Sequence, residues 1–245
     1  MTGRRRWLRW VIAAAAAIVV LAVGGPFVYI HFIEGQAPAP LGLKSSTTPG
    51  AAPSATATGA GTTSNGGSAA GSVAGTWNVG TGSVVGYRVK EVLVGQNNLA
   101  VGRSHSVSGH LTISGNTVTA ATFTVQMATI HSDQSERDVQ FDGRIMDVSA
   151  YPTGTFTLTH PISLAPLAAV GTIKQYHATG NLTLHGHTRP VTFLLSAERT
   201  ASAIKVSGTI QIAFADWSIP NPSFGSFVTT QNHGILEFLL VLSKA

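Results

Sequence analysis

Nine histidines raise the question of a bound metal, and His185-Gly-His187 is the best-placed pair. Residues i and i+2 of a strand share a face, so two imidazoles at this spacing could hold a divalent cation. No acidic residue stands near them, and Gly186 has the character of a turn, so a third ligand must come from another strand. Solvated turn histidines are therefore expected, with no metal held. Acidic groups are sparse: Asp133 with Glu136, Asp138 with Asp142, and the isolated Asp147 and Asp216. Arg137-Asp138 opens a helical pattern, where negative charge suits the helix dipole, and reads as structural ion pairing. The chain has no Gly-x-Ser-x-Gly nucleophile elbow. It also lacks cysteine, which removes thiolate zinc sites, disulfides and thiol-linked lipid. With 10% charged residues there is little acid–base machinery of any kind. No catalytic residue is assigned and no cofactor is expected. A metal-dependent enzyme built on His185 and His187 is the weakest of the functional readings.

The elements that would carry these residues are mostly strands. Val85, Tyr87 and Val89 alternate with polar or small residues, as do Phe123, Val125 and Met127, then Phe156 and Leu158, then Leu182 and Leu184. Val191, Phe193 and Leu195 follow Arg189-Pro190, at a strand start where proline is tolerated. Residues 204–214 are apolar at nearly every second place, and 233–242 are apolar on both faces, as in a closing strand packed on both sides. Close spacing and Gly-rich turns such as Ser114-Gly-Asn116 predict an antiparallel barrel or sandwich. Residues 135–146 break this rhythm, with Val139, Phe141, Ile145 and Met146 at near-helical spacing. They predict a short helix able to plug or lid one end. Inward positions by alternation are Tyr87, Val89, Phe123, Val125, Met127, Phe156, Leu158, Leu182, Phe193, Leu195, Ile210, Ile212 and Phe214. Alternation is the same for a filled core and for an empty tube.

Several segments carry a more specific signal. These are Trp77 on the first strand, Val107-Ser-Gly109, Arg137-Asp138, Tyr151-Pro152 with Phe156, and the run from Gly180 through His185-Gly-His187 to Pro190. In this order and spacing the chain from residue 76 to 245 resembles the YceI-like family. That resemblance implies an all-β, lipocalin-like antiparallel barrel with a short helix. It further implies that the inward residues above, with Phe141, line a tunnel holding an isoprenoid-tailed lipid such as a quinone or polyprenyl carrier. Met127 and Met146 suit such a lining, because thioethers repack around flexible ligands. The protein would then be a non-catalytic lipid-binding protein. The rival reading is an envelope module with a filled core, whose loops bind a protein or a glycan.

Charge divides the chain. Residues 76–245 hold 10 Lys/Arg and 9 Asp/Glu, whereas residues 1–75 hold 5 Lys/Arg and the single acid Glu34. The basic balance therefore belongs to the amino-terminal part, and no basic patch with interleaved aromatics marks a nucleic-acid surface. Residues 10–33 carry no formal charge, and these 24 residues would span about 36 Å as a helix, enough to cross a bilayer core. Arg4, Arg5, Arg6 and Arg9 precede the run, which places residues 1–9 in the cytoplasm and the barrel outside it, on a single-pass cell-membrane anchor. A cleaved signal peptide is the competing reading, although its best cleavage site, Ala37-Pro-Ala39, is followed by Pro40. Residues 34–75, mostly Gly, Ala, Ser, Thr and Pro, are expected to be a disordered linker with an r.m.s. span of ~35 Å.

Overall fold

The computed structural model describes residues 37–43, 72–93, 95–225 and 228–245. The basic tail, the expected anchor at 10–33 and most of the linker lie outside these residues. Among the described residues, no helix is long and apolar enough to cross a membrane.

Among the described residues the period-2 pattern is realised as twelve antiparallel strands. They are β1 (Gly75–Val79), β2 (Val84–Leu93), β3 (Gln96–Ser104), β4 (Val107–Ser114), β5 (Thr117–Gln126) and β6 (Thr153–Leu158), then β7 (Ile162–Ser163), β8 (Ile173–Leu184), β9 (His187–Arg199), β10 (Ala203–Ala213), β11 (Val228–Thr230) and β12 (His233–Lys244). The circuit β1-β4-β5-β6-β8-β9-β10-β12 closes into an eight-stranded barrel where β12 meets β1, with Trp77 opposite Lys244. An earlier part of β12 pairs with β2, Arg88 lying opposite Ile235, and β3 and β11 both add to β2. Closure leaves the main circuit without a free edge. Helix α1 (Ser135–Gln140) runs on into a wider turn over Phe141–Ile145, as the spacing of its apolar residues predicts.

Buried apolar side chains form two clusters stacked along the barrel. One gathers Met127, Phe141, Met146, Leu182, Ile210, Ile212, Phe214 and Trp217 at the helix end. The other gathers Trp77, Leu111, Ile113, Val118, Ile204, Leu240 and Leu242 at the opposite end. Val125 and Phe238 pack against both and mark the waist.

The expectation of an unstructured linker fails at two places. Val73 is buried beside Trp77, whose indole N–H donates to the Val73 carbonyl at 2.8 Å. Residues 37–43 lie against the outer wall, with the Leu41 N–H donating to Glu237 and the Leu43 N–H to Ser207. A composition window averages over 42 mostly small residues, and so hides a short Ala-Pro-Ala-Pro-Leu-Gly-Leu stretch able to find a specific partner. The outer face of β12 is thus met at Glu237 by an extended peptide, while Ile235, Leu239 and Val241 on that face are half-buried.

Candidate functional site: a cavity through the barrel

The histidine pair does not form a site. His185 and Gly186 are the two central residues of the β8–β9 hairpin, with φ of 47° and 73°, so His185 belongs to the turn while His187 starts β9. The His185 ring packs on Tyr151, with centroids 4.6 Å apart, and its Nδ1 lies 3.3 Å from the Trp217 carbonyl. A Cβ on Gly186 would stand 2.5 Å from the Tyr151 ring, which explains a glycine there beyond its positive φ. Tyr151, His185-Gly186 and Trp217 together lock one end of the barrel. The Trp217 indole N–H completes the lock on the Leu182 carbonyl at 3.1 Å. Among the described residues, no group of three His, Cys, Asp or Glu could hold a metal ion.

Arg137 and Asp138 are also structural. Asp138 accepts hydrogen bonds from the Ser132 N–H and hydroxyl at 2.8 and 2.7 Å and faces His131 Nδ1 at 3.3 Å, fixing the turn before α1. The helix begins at Ser135 behind Gln134, without a side-chain cap. Arg137 bridges Asp133 at 2.5 Å and Glu91 on β2 at 3.1 Å, tying the helix to the barrel wall. Burial works against the charge of its guanidinium, yet Glu91 and Asp133 hold its pKa above the ordinary arginine value.

The barrel is hollow. A cavity of about 680 Å³ runs through both apolar clusters. That lies within the ~300–1,000 Å³ typical of small-molecule sites. Every residue expected to face a tunnel lines it: Tyr87 and Val89 from β2, Phe123 and Val125 from β5, Phe156 and Leu158 from β6, Leu182 from β8, Phe193 and Leu195 from β9, and Ile210 and Ile212 from β10. Met127 and Phe214 line it from 3₁₀ turns that follow β5 and β10, and Phe141 from the end of the helical segment. A large part of the lining was not anticipated, including Leu111, Ile113 and Val118 from β4 and β5, and Leu236, Phe238 and Leu240 from β12.

Aromatic rings girdle the waist. Phe123 and Phe156 are cross-strand partners, Phe156 meets Phe193 edge-on at 5.5 Å, and Phe193 meets Phe238 edge-on at 5.8 Å. The Phe238 ring lies over Gly208, its partner on β10, where an added Cβ would come within 2.7 Å of the ring. The absence of a side chain at Gly208 lets the ring rest against the wall and leaves the lumen open.

Polarity is uneven along the cavity. Glu91, Gln134, Glu136, Arg137, Gln140 and Arg144 line it at the helix end, where Arg144 also donates to the carbonyls of Asn221 and Pro222 at 3.1 and 3.0 Å. The far end is lined by Ile113, Val118, Ile162, Leu164, Ile204 and Val206, with Tyr176 as a polar side chain among them. Between the rim and the waist stands Tyr87, stacked on Phe141 at 5.2 Å. Burial, only partly opposed by the Arg137 cation, pushes its phenol well above the ordinary tyrosine range. Tyr87 therefore keeps its proton at any physiological pH and stays a hydrogen-bond donor.

The fold is shared with a solved structure. A polyisoprenoid binding domain from Saccharophagus degradans, implicated in plant cell wall breakdown, superposes with a TM-score of 0.58 at 19% identity, covering 70% of this chain and 99% of that one. BcnA from Burkholderia cenocepacia matches with a TM-score of 0.49 at 20% identity, covering 63% and 95%. The YCEI protein of Campylobacter jejuni matches at 0.43 with 14% identity, covering 59% and 84%. No curated protein matches the chain. The family model of the YceI-like domain matches residues 77–241, from the opening tryptophan of β1 to the last turns of β12. With more than half its length so matched, and with its barrel, helix and hairpin lock in place, the chain belongs to the YceI-like domain family.

Proposed function

We propose that this protein binds a lipid with an isoprenoid tail, a quinone or polyprenyl carrier, and sequesters or transfers it outside the cytoplasmic membrane while tethered there by residues 10–33. The observation that carries this reading is a hollow, mostly apolar barrel whose charged lining residues, Glu237 apart, gather at the helix end, with Tyr176 at the other. A ligand with a long hydrocarbon tail and a small polar head matches that asymmetry. The tail replaces water along the lumen, and the head stays beside Tyr87, Arg137 and Arg144. The description of the Saccharophagus degradans relative as polyisoprenoid-binding agrees with it. A filled-core interaction module fits poorly with a lumen of about 680 Å³. Among the described residues no acid, base and nucleophile converge on the lumen in the manner of a catalytic site, and the action proposed is binding.

A titration tests this. Delipidated protein is mixed with one quinone head group bearing tails of increasing isoprene number. Each added CH₂ that enters the lumen contributes ~0.8 kcal/mol, so affinity should rise by at least tenfold per isoprene unit until the cavity is full, then level off. An affinity independent of tail length would refute binding through the tail.

A further inference from the structure

Glu237 sits in an unusual place. By the β12–β2 register Glu237 lies on the face opposite Leu236 and Tyr87, toward the outer wall, although it also borders the cavity, and it is only 1% exposed. Its carboxylate accepts from Arg88 Nε at 2.7 Å and from Arg103 Nη2 at 3.0 Å, both on outward positions of the adjoining strands β2 and β3. Arg103 Nε at 3.2 Å and the Leu41 N–H at 3.1 Å also donate to it. The arginines are completed by the same peptide. Arg88 Nη2 donates to the Pro38 carbonyl at 2.5 Å, and Arg103 Nη2 donates to the Ala39 carbonyl. Farther along, the Leu43 N–H donates to Ser207 Oγ on β10 at 3.2 Å, and Ser207 is itself only 4% exposed. Residues 37–43 thus contact side chains from four strands, β2, β3, β12 and β10, engaging a polar cluster on the barrel's outer wall.

The peptide is suited to this. Pro38 and Pro40 have no N–H, so within residues 38–40 only Ala39 brings a backbone donor beside the arginines. Prolines also hold the chain extended before it binds, which lowers the entropy lost on docking. In an extended segment Leu41 and Leu43 share a face, and both are half-buried while Gly42 between them is exposed.

We infer that the outer face of β3, β2, β12 and β10 is a docking site for the chain's own segment 37–43, and that this docking clamps the barrel close to the membrane. The second half rests on the anchor reading of residues 10–33. From Ile33 to Ala37 there are four residues, which extend at most about 14 Å. A barrel on a free 34–75 linker would instead wander over ~35 Å. The clamp would hold the lipid site at a fixed height above the bilayer from which its ligand comes.

The experiment uses the full chain in vesicles of phosphatidylglycerol and phosphatidylcholine, with two readouts. Amide exchange at Leu41 and Leu43 reports docking. Energy transfer from a dye on Ser202→Cys, unique in a cysteine-free chain, to a headgroup-labelled lipid reports height. The control is Leu41→Pro with Leu43→Pro, which removes both donated N–H groups and leaves the barrel untouched. Docking predicts exchange at both amides at least tenfold slower than in an unstructured peptide. The clamp predicts transfer efficiency that falls by at least half in the double variant. Random-coil exchange at both amides would overturn the docking site. Protected amides with equal transfer in both proteins would overturn the clamp. Protected amides in a chain that does not float with the vesicles would refute the anchor, and with it the clamp, while sustaining the docking site.

Discussion

Replacing Glu237 by alanine should be the most damaging single change on the outer wall. It leaves Arg88, 8% exposed, and Arg103, about one-quarter exposed, facing each other without an anion. Breaking a buried ion pair by removing one partner costs ~3–5 kcal/mol, because the remaining charge stays desolvated. At ~2–4 °C per kcal/mol for a domain of this size, Tm should fall by roughly 6–20 °C. Asp133→Ala provides the contrast. It also deletes an arginine partner, but Asp133 is 47% exposed, and such pairs contribute less than ~1 kcal/mol. Thermal melts of the two variants beside the unmodified chain make the comparison. Equal, small shifts would mean that the outer cluster is solvated and that segment 37–43 does not cover it.

The second large effect is expected on ligand binding. In Gly208→Val the new Cβ meets the Phe238 ring at 2.7 Å and the Leu194 carbonyl at 3.2 Å. The ring is the softer of the two, so it should swing off the wall into the lumen at the waist. Space that a lipid tail would fill is then taken by phenylalanine. Prenyl-quinone affinity should drop at least tenfold, while stability changes by no more than the ~1–3 kcal/mol of overpacking. If the waist were filled by side chains instead of open, the same change would destabilise the domain and leave binding, if any, unaffected. Measuring both quantities on one preparation separates these cases.

Much of the lining was legible because β2, β5, β6, β8, β9 and β10 alternate cleanly. Tyr87, Phe123, Phe156, Phe193 and Ile210 could be assigned to one face from period alone. The same reasoning failed on β12, where Leu236, Phe238 and Leu240 face the lumen but Ile235, Leu239 and Val241 are also apolar. With both faces apolar there is no period to read. Glu237 is the only acid in that strand, and its presence on an otherwise apolar outer face was the available hint of a special environment. Finding its partners requires the register that brings Arg88, Arg103 and residue 41 together, over sequence separations of 134 to 196 residues. The turn at His185-Gly186 was legible from the glycine, which has φ 73°, but the packing of the imidazole on Tyr151 and Trp217 was not. Whether the barrel is hollow depends on the volumes that meet across it, such as Gly208 opposite Phe238, and no one-dimensional pattern contains that pairing.

The central claim is that the lumen holds a lipid. Native mass spectrometry of the full chain, extracted with its membrane and analysed without added ligand, tests it most directly. The account predicts a single added mass, released by organic solvent and identified as an isoprenoid-tailed lipid, lost from Gly208→Val and kept in Leu41→Pro with Leu43→Pro. Recovery of the unmodified protein at its bare polypeptide mass, with no prenyl lipid in the solvent extract, would contradict it.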